Sequence, residues 1–339
     1  MRSNVAVCCA AAILAAGALS LAIAPNARAS TGPIPLNCNR ACLEGVVNQY
    51  LAAVVAHDPK RLPLSADVKY TENDQAMEVG DGFWKTAEGI GNYKHIFADP
   101  EFGQVAFMGT MHEAGTPLLM SLRLRIELGR ITEIEGVYYR SGGGCPSGIA
   151  DLDKPGYKAE DMWFKSIPAA QRLSRQELIS IADGYFTGLQ KNDGKGINGT
   201  GTYPFTNDCH RIENGAPTTN VPRPPNEPPG TINAFSMDCL AQFTLGYYFV
   251  VQSIHHRRYP LVDAERGVVW SHAVFDQGTV NKGTPSDGRK YTFKAFNRPS
   301  SILVTEAFLI ENGKIRRVEM IGPSVPYHLN SPWPGLSGN

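Results

Sequence analysis

Two stretches of the chain carry apolar residues three and four positions apart. Leu43, Val46, Val47, Tyr50, Leu51, Val54 and Val55 form the first, and Leu178, Ile181, Ala182, Tyr185, Phe186 and Leu189 the second. That spacing gathers each set on one face of a helix. The first helix is expected to stop at His57-Asp58-Pro59, because proline disfavours helical geometry in the residue before it. The second follows Ser174-Arg175-Gln176-Glu177, a capping-box pattern. Later in each half the period changes to two. Met120, Leu122, Leu124 and Ile126 alternate with Ser121, Arg123, Arg125 and Glu127, which predicts a half-buried strand. It turns at Leu128-Gly129 into Ile131–Glu135. In the second half, Ile302 to Ile310 passes through Asn312-Gly313, a strong hairpin signal, into Ile315–Ile321.

The two halves are divergent copies of one plan. Tyr50 and Tyr185 hold the same place in the two helical stripes. Tyr70-Thr71-Glu72-Asn73 matches Arg211-Ile212-Glu213-Asn214, and Gly129, Ile131 and Glu135 match Gly313, Ile315 and Glu319. A long helix, an irregular stretch and antiparallel strands, repeated, give an α+β class. A curved antiparallel sheet wrapped round its helix makes a cone whose open end is a pocket. The domains are expected at 36–150 and 171–330. A linker at 151–170 follows the glycine run Ser141-Gly142-Gly143-Gly144-Cys145-Pro146, and no Gly-Lys-Ser/Thr makes that run a phosphate loop. A proline-rich insertion, Ala216 to Pro229, interrupts the second half.

Residues 1–29 read as a secretory signal. Arg2 is followed by an apolar run from Val5 to Ala24 and by the small-x-small site Ala27-Arg28-Ala29. A secreted or periplasmic location is expected, with no membrane attachment after cleavage. Five cysteines would remain, and in an oxidising compartment they should pair with one left over. Cys209 and Cys239 flank the insertion and would staple it, while Cys145 would bond to Cys38 or to Cys42. The 339 residues carry 32 basic and 32 acidic side chains, a balance that argues against nucleic acid as a partner. His255-His256-Arg257-Arg258 and Arg316-Arg317 read as solvated surface. With no CxxC pair and no HExxH, neither a metal nor another cofactor is expected.

Internal comparison supplies the main chemical candidate. Aligning Gly129 with Gly313 places Leu122 opposite Glu306, while Met120, Leu124 and Ile126 fall opposite Val304, Phe308 and Ile310. Glu306 thus stands on an otherwise apolar face, where desolvation should raise its pKa into the range of a general acid or base. On the strand Val268 to Asp276, period two puts Trp270, His272, Val274 and Asp276 on one face. His272 is therefore the expected partner of Glu306, if both point into the cone. His210, beside the Cys209 staple, is a further catalytic candidate. Trp270, Tyr203, Phe308 and Trp84 are the aromatics expected to contact a ligand. The repeated Glu72-Asn73 and Glu213-Asn214 pairs are read as structural, bonding a turn.

The strings Cys42-Leu43-Glu44, Asp58-Pro59 through Leu62-Pro63-Leu64, Thr71-Glu72-Asn73, Gly82-Phe83-Trp84, Phe102-Gly103-Gln104-Val105 and Arg130-Ile131-Thr132-Glu133-Ile134-Glu135 resemble the DUF8021 family. The resemblance is strongest over Asn37–Arg140 and looser over Leu173–Gly322. It implies exported proteins with tandem NTF2-like cone-shaped domains, in the SnoaL and ketosteroid-isomerase-like superfamily, and it carries over no catalytic motif. Members of that superfamily use Asp, Glu, His or Tyr as acid and base in a shared pocket, and others only bind or dimerise. The expected function is a cofactor-free lyase, isomerase or hydratase acting on a small apolar metabolite. The alternatives are a secreted binding protein without turnover and an interaction module with filled cones. The two halves are expected to pair within one chain as a pseudo-dimer, leaving a monomer in solution.

Overall fold

The computed structural model describes residues 34, 36–141, 147–228, 233–293 and 296–333. The expected signal segment and Cys145 lie outside these residues. Helix α1 (Arg40–Val55) begins where the Asn39 side chain accepts a hydrogen bond from the Cys42 N–H at 3.1 Å. A disulfide joins Cys38 to Cys42 across this helix start, with the Cα atoms 5.2 Å apart, a span a disulfide bridges without strain. Both sulfurs are thereby used, so the expected bond from Cys145 to one of them is ruled out. Four residues at a helix start bring two cysteines within reach by local geometry alone.

The first half continues with β1 (Leu64–Glu72), β2 (Gln75–Ala76), β3 (Ala87–Asp99), β4 (Gln104–Glu113), β5 (Thr116–Glu127) and β6 (Arg130–Tyr139). These form one sheet in the order β2-β1-β6-β5-β4-β3, with β1 and β6 parallel and the other neighbours antiparallel. Helix α2 (Ile149–Leu152) and helical turns at 161–164 and 169–171 lead to α3 (Arg175–Leu189), which carries the expected capping box of Ser174 and Glu177. The second half holds β7 (Phe205–Glu213), β8 (Ala216–Pro217), α4 (Cys239–Leu245), β9 (Val251–Asp263) and β10 (Val268–Gln277). A small ribbon of β11 (Lys282–Gly283) and β12 (Tyr291–Thr292) follows, then β13 (Ser300–Glu311), β14 (Lys314–Ile321) and β15 (Ser324–Val325). Its sheet runs β8-β7-β14-β13-β10-β9, with β15 on β13 and with β7 and β14 parallel. The strand order of the first half is thus repeated, and the α+β reading holds.

Both hairpins turn as the sequence requires. Leu128 and Gly129 have φ of 48° and 74°, and Asn312 and Gly313 have 51° and 76°. Two left-handed residues in succession suit a two-residue hairpin loop, whose twist matches that of the strands. The α1 stripe packs on one face of the first sheet, with Val47, Tyr50 and Leu51 in the same core as Phe107, Leu122 and Leu124. The α3 stripe does the same in the second, where Tyr185 and Phe186 meet Val304 and Phe308.

The opposite faces of the two sheets meet each other. Phe97, Met108 and Leu119 from the first half share a core with Leu261, Trp270 and Leu309 from the second. The 151–170 stretch, read as a linker, contributes buried Leu152 and Trp163 to this core. Arg258, read as solvated surface, is 5% exposed here. It lies beside Glu135 of the first half, which it bonds through Nη2, while Arg123 Nε donates to the same carboxylate at 2.8 Å. The contact has a pseudo-twofold counterpart. Register makes His95 the equivalent of Arg258 and Glu319 that of Glu135, and His95 Nδ1 lies 2.8 Å from Glu319 Oε2.

Cys209 and Cys239 form the second disulfide, 30 residues apart, and tie β7 to α4 across the insertion as expected. Closing a loop of that length constrains the unfolded chain by about 3–4 kcal/mol. The double replacement Cys209→Ser with Cys239→Ser should lower unfolding free energy by that amount in urea titration. A loss under roughly 1 kcal/mol would show the staple to be dispensable. Two disulfides fit an oxidising compartment, and no described helix is long and apolar enough to cross a membrane.

Candidate functional site

Period two along β13 sends Ile302, Val304, Glu306, Phe308 and Ile310 toward α3, and Ser301, Leu303, Thr305 and Leu309 toward the other half. On the α3 side the second half encloses a cavity of about 420 Å³, large enough for a small organic ligand. Its walls are mainly apolar, with Phe275, Phe293, Ile302 and Val304 among the lining residues. Its polar lining residues include Tyr185 from α3, Arg211 and Glu213 from β7, Tyr248, and Glu306.

Glu306 is 2% exposed, and its Oε2 has no hydrogen-bond partner. Burial pushes its pKa up to about 8. The Arg211 guanidinium pulls it down, the Glu213 carboxylate pushes it further up, and the Tyr185 hydroxyl pulls it down. Near neutral pH this group is therefore mostly a carboxylic acid, able to donate a proton or a hydrogen bond into the cavity.

Arg211 is fixed by its surroundings. Its Nη1 donates to Gln242 Oε1 at 2.9 Å and to the Tyr248 hydroxyl at 2.8 Å, and its Nη2 bonds Glu213. Gln242, from α4, is held in turn by Nε2 donation to the carbonyls of Thr218 and Ala234 at 2.5 and 2.7 Å. Burial raises the Tyr248 hydroxyl to about 12, with Arg211 acting against the rise. Burial likewise lifts Tyr185 well above the ordinary phenol range. Both phenols stay protonated at neutral pH and serve as donors. Arg211 Nε is buried without a partner, a second unsatisfied donor beside the cavity.

The equivalent region of the first half is filled. Tyr50 packs edge-on against Trp84 with ring centroids 5.3 Å apart, and Phe83 lies 4.7 Å from Tyr138. Glu72 is consumed internally, accepting from the Phe83 N–H at 2.8 Å and from the Tyr70 hydroxyl. Gly82 permits this closeness: its φ is +58°, and a Cβ there would lie 2.4 Å from Glu72 Oε2. Trp84, expected to touch a ligand, is instead core.

Most of the other sequence candidates also lie away from the cavity. Register pairs Ser271, not His272, with Glu306. Directly opposed residues share a face, so His272 points to the other side of the sheet. There its Nε2 lies 3.4 Å from Asp74 and 3.3 Å from Glu135 of the first half. Trp270 shares that face and belongs to the core between the halves. The expected Glu306–His272 pair therefore does not form. Phe308 faces α3 but is packed between Tyr185 and Phe186, with centroids 5.1 and 5.6 Å away. The Tyr203 hydroxyl accepts from Asn192 at 3.0 Å and from the Gly196 N–H at 3.1 Å, which fixes a loop. His210 Nδ1 contacts Thr219 Oγ1 at 2.9 Å, and burial lowers its pKa, assisted by Arg317.

Sequence reasoning passed over Arg211, Glu213, Tyr185 and Tyr248. The repeated motif was read as structural, and its asparagines fit that reading. Asn73 and Asn214 have φ of 47° and 49°. Asn73 Oδ1 accepts from the Tyr138 N–H and Asn214 Oδ1 from the Gly322 N–H, both at 2.8 Å. The overlooked signal was Arg211 standing where the first half has Tyr70, a second charged replacement alongside Glu306 for Leu122.

No curated protein matches the chain. A family model described as a domain of unknown function, DUF8021, matches residues 37–138 and 171–322. The two matches coincide with the two sheet-bearing halves, one copy of the plan in each, and so the chain belongs to the DUF8021 family as a tandem repeat.

Proposed function

We propose that this is an exported protein whose two halves are NTF2-like cones, and that the second cone binds a small, largely apolar organic molecule on which Glu306 acts as a cofactor-free acid and base. The observation that carries this reading is a fully buried carboxyl group with an unpartnered oxygen beside a mostly apolar cavity. A group poised near pH 8 can give up a proton and take one back in a single active site, which suits isomerisation, hydration or elimination. Arg211, Tyr185 and Tyr248 would orient a carbonyl or hydroxyl of the ligand. The plugged first cone would serve as a supporting domain, and the covered sheet faces would leave the chain a monomer.

A second reading, sequestration without turnover, is favoured by one specific observation: His272, the expected partner of Glu306, lies on the other face of the sheet. The experiment separating the two begins with a thermal-shift screen of small cyclic ketones, lactones and terpenoid alcohols. Compounds that stabilise the protein should fail to do so in Val304→Trp, which fills the cavity. A folded Val304→Trp protein that binds them equally well would sink the pocket assignment. With a ligand in hand, Glu306→Gln should abolish turnover, with a loss of roughly 100-fold or more, and keep binding within about tenfold. Binding without any turnover in the native protein would favour sequestration.

A further inference from the structure

A second constellation lies on the opposite face of the second sheet, away from the cavity. We propose that His255, Asp276 and His328 form a binding site for one divalent first-row transition-metal ion. No metal is expected from sequence spacing, because the three residues come from β9, the end of β10 and the segment after β15, with no motif among them.

The geometry fits a two-histidine, one-carboxylate ligand set. One ligand atom from each residue lies within 4.8 Å of the others. His255 Nε2 is 3.3 Å from Asp276 Oδ1, close to the roughly 3.3 Å that separates two ligands bound tetrahedrally at zinc distances. His328 Nδ1 is 2.6 Å from Asp276 Oδ2. His255 Nε2 is buried and has no hydrogen-bond partner despite its carboxylate neighbour, so a nitrogen lone pair or proton there is unsatisfied. An ion between the ring and the carboxylate would satisfy it.

The supporting shell is already in place. Ser301 Oγ donates to Asp276 Oδ1 at 2.6 Å and accepts from the His328 N–H at 2.9 Å. One hydroxyl thus positions both the carboxylate and the backbone that carries the second histidine, as outer-shell groups do in metal sites. The bulge in β9, where His256 has φ of +52° and the register shifts between His255 and Arg258, turns His255 toward Asp276. Leu329 and Val325 pack on Val274 and Leu303, anchoring the segment that presents His328. The His328 side chain is 63% exposed, so ions can enter and water can complete the coordination. Two imidazoles and one carboxylate suit zinc, copper or nickel over magnesium or calcium.

The test is calorimetric titration of zinc chloride into untagged, EDTA-treated protein lacking only its signal segment. One saturable site is expected, and Mg²⁺ should not compete. His255→Ala and His328→Ala should each weaken zinc binding by more than about 100-fold, since losing a ligand exceeds the loss from disturbing its outer shell. The His328 change lies on an exposed side chain, so that variant stays folded. Cobalt(II) gives a second readout, with visible d–d bands in the native protein that vanish in both variants. Absence of saturable zinc binding would overturn the site. So would binding that persists unchanged in the double variant, or equal binding of Mg²⁺.

Discussion

Replacing Glu306 with glutamine raises the unfolding free energy at pH 9 and leaves it nearly unchanged at pH 5. The carboxyl group titrates at about 8 in the folded protein and at roughly 4.3 in an unfolded chain. Below pH 4.3 it is protonated in both states and contributes nothing to the difference. Between about 4.3 and 8 the folded state keeps a proton that the unfolded state has released, so stability falls as pH rises. Above 8 the loss levels off, on the order of 5 kcal/mol. Glutamine has no charge to desolvate, and it removes this slope. The expected gain at pH 9 is roughly 3–5 kcal/mol, with a difference within about 1 kcal/mol at pH 5. Urea titrations at the two pH values measure both. Parallel pH–stability curves for the two proteins would mean that Glu306 ionises like an ordinary glutamate.

The contact between the halves fails in the opposite direction. Glu135 is fully buried; burial alone would raise its pKa, but Arg258, His272 and Arg123 outweigh it and hold the carboxyl well below the usual range. Glu135→Ala leaves the buried Arg258 guanidinium without its carboxylate, while Arg123 keeps Glu133 at 2.7 Å, and the loss of such a partner costs about 3–5 kcal/mol. Glu319→Ala removes the pseudo-equivalent contact, which faces His95 and Tyr93 and no guanidinium. It should cost less, about 1–3 kcal/mol. The folded-state pKa of Glu135 lies below the unfolded one. Its contribution is therefore complete above about pH 4.3 and is lost as pH falls toward the folded value. Acid loosens this interface, whereas base destabilises the cavity. Denaturant titration of both variants at pH 7 checks the ranking, and equal small losses would show that the two halves hold together by apolar packing alone.

The α1 and α3 stripes and the capping box were legible because polar residues mark their outside, and both hairpins because their turns carry Leu128-Gly129 and Asn312-Gly313. The half-buried reading of β5 fails, since Ser121 and Arg123 on its polar face are buried where the two sheets meet. Glu306 was legible for a different reason: the first half supplies an internal reference, and leucine stands at its position there. β10 was not legible. All ten of its residues are buried, so period two separates Trp270 and His272 from Ser271 but cannot say which set faces the cavity. Register settles that, and register depends on the turn and bulge geometry linking β9, β10 and β13. Arg211 was hidden inside a motif whose asparagine is kept for its turn. Trp163 and Arg258 were hidden by their neighbours, a glycine-rich run and a basic cluster, which look solvated until a second sheet covers them. The ligand set of His255, Asp276 and His328 has no local pattern, because three distant segments meet only in the folded chain.

A desolvated acid facing a ligand-sized cavity in the second half is open to NMR titration of protein labelled with ¹³C at the glutamate carboxyl carbon. One carboxyl resonance should titrate near 8, be absent from the spectrum of Glu306→Gln and shift when a ligand enters the cavity. If every glutamate titrates below about pH 5.5, in the ordinary range, Glu306 is solvated or paired, and the acid–base account of this protein is wrong.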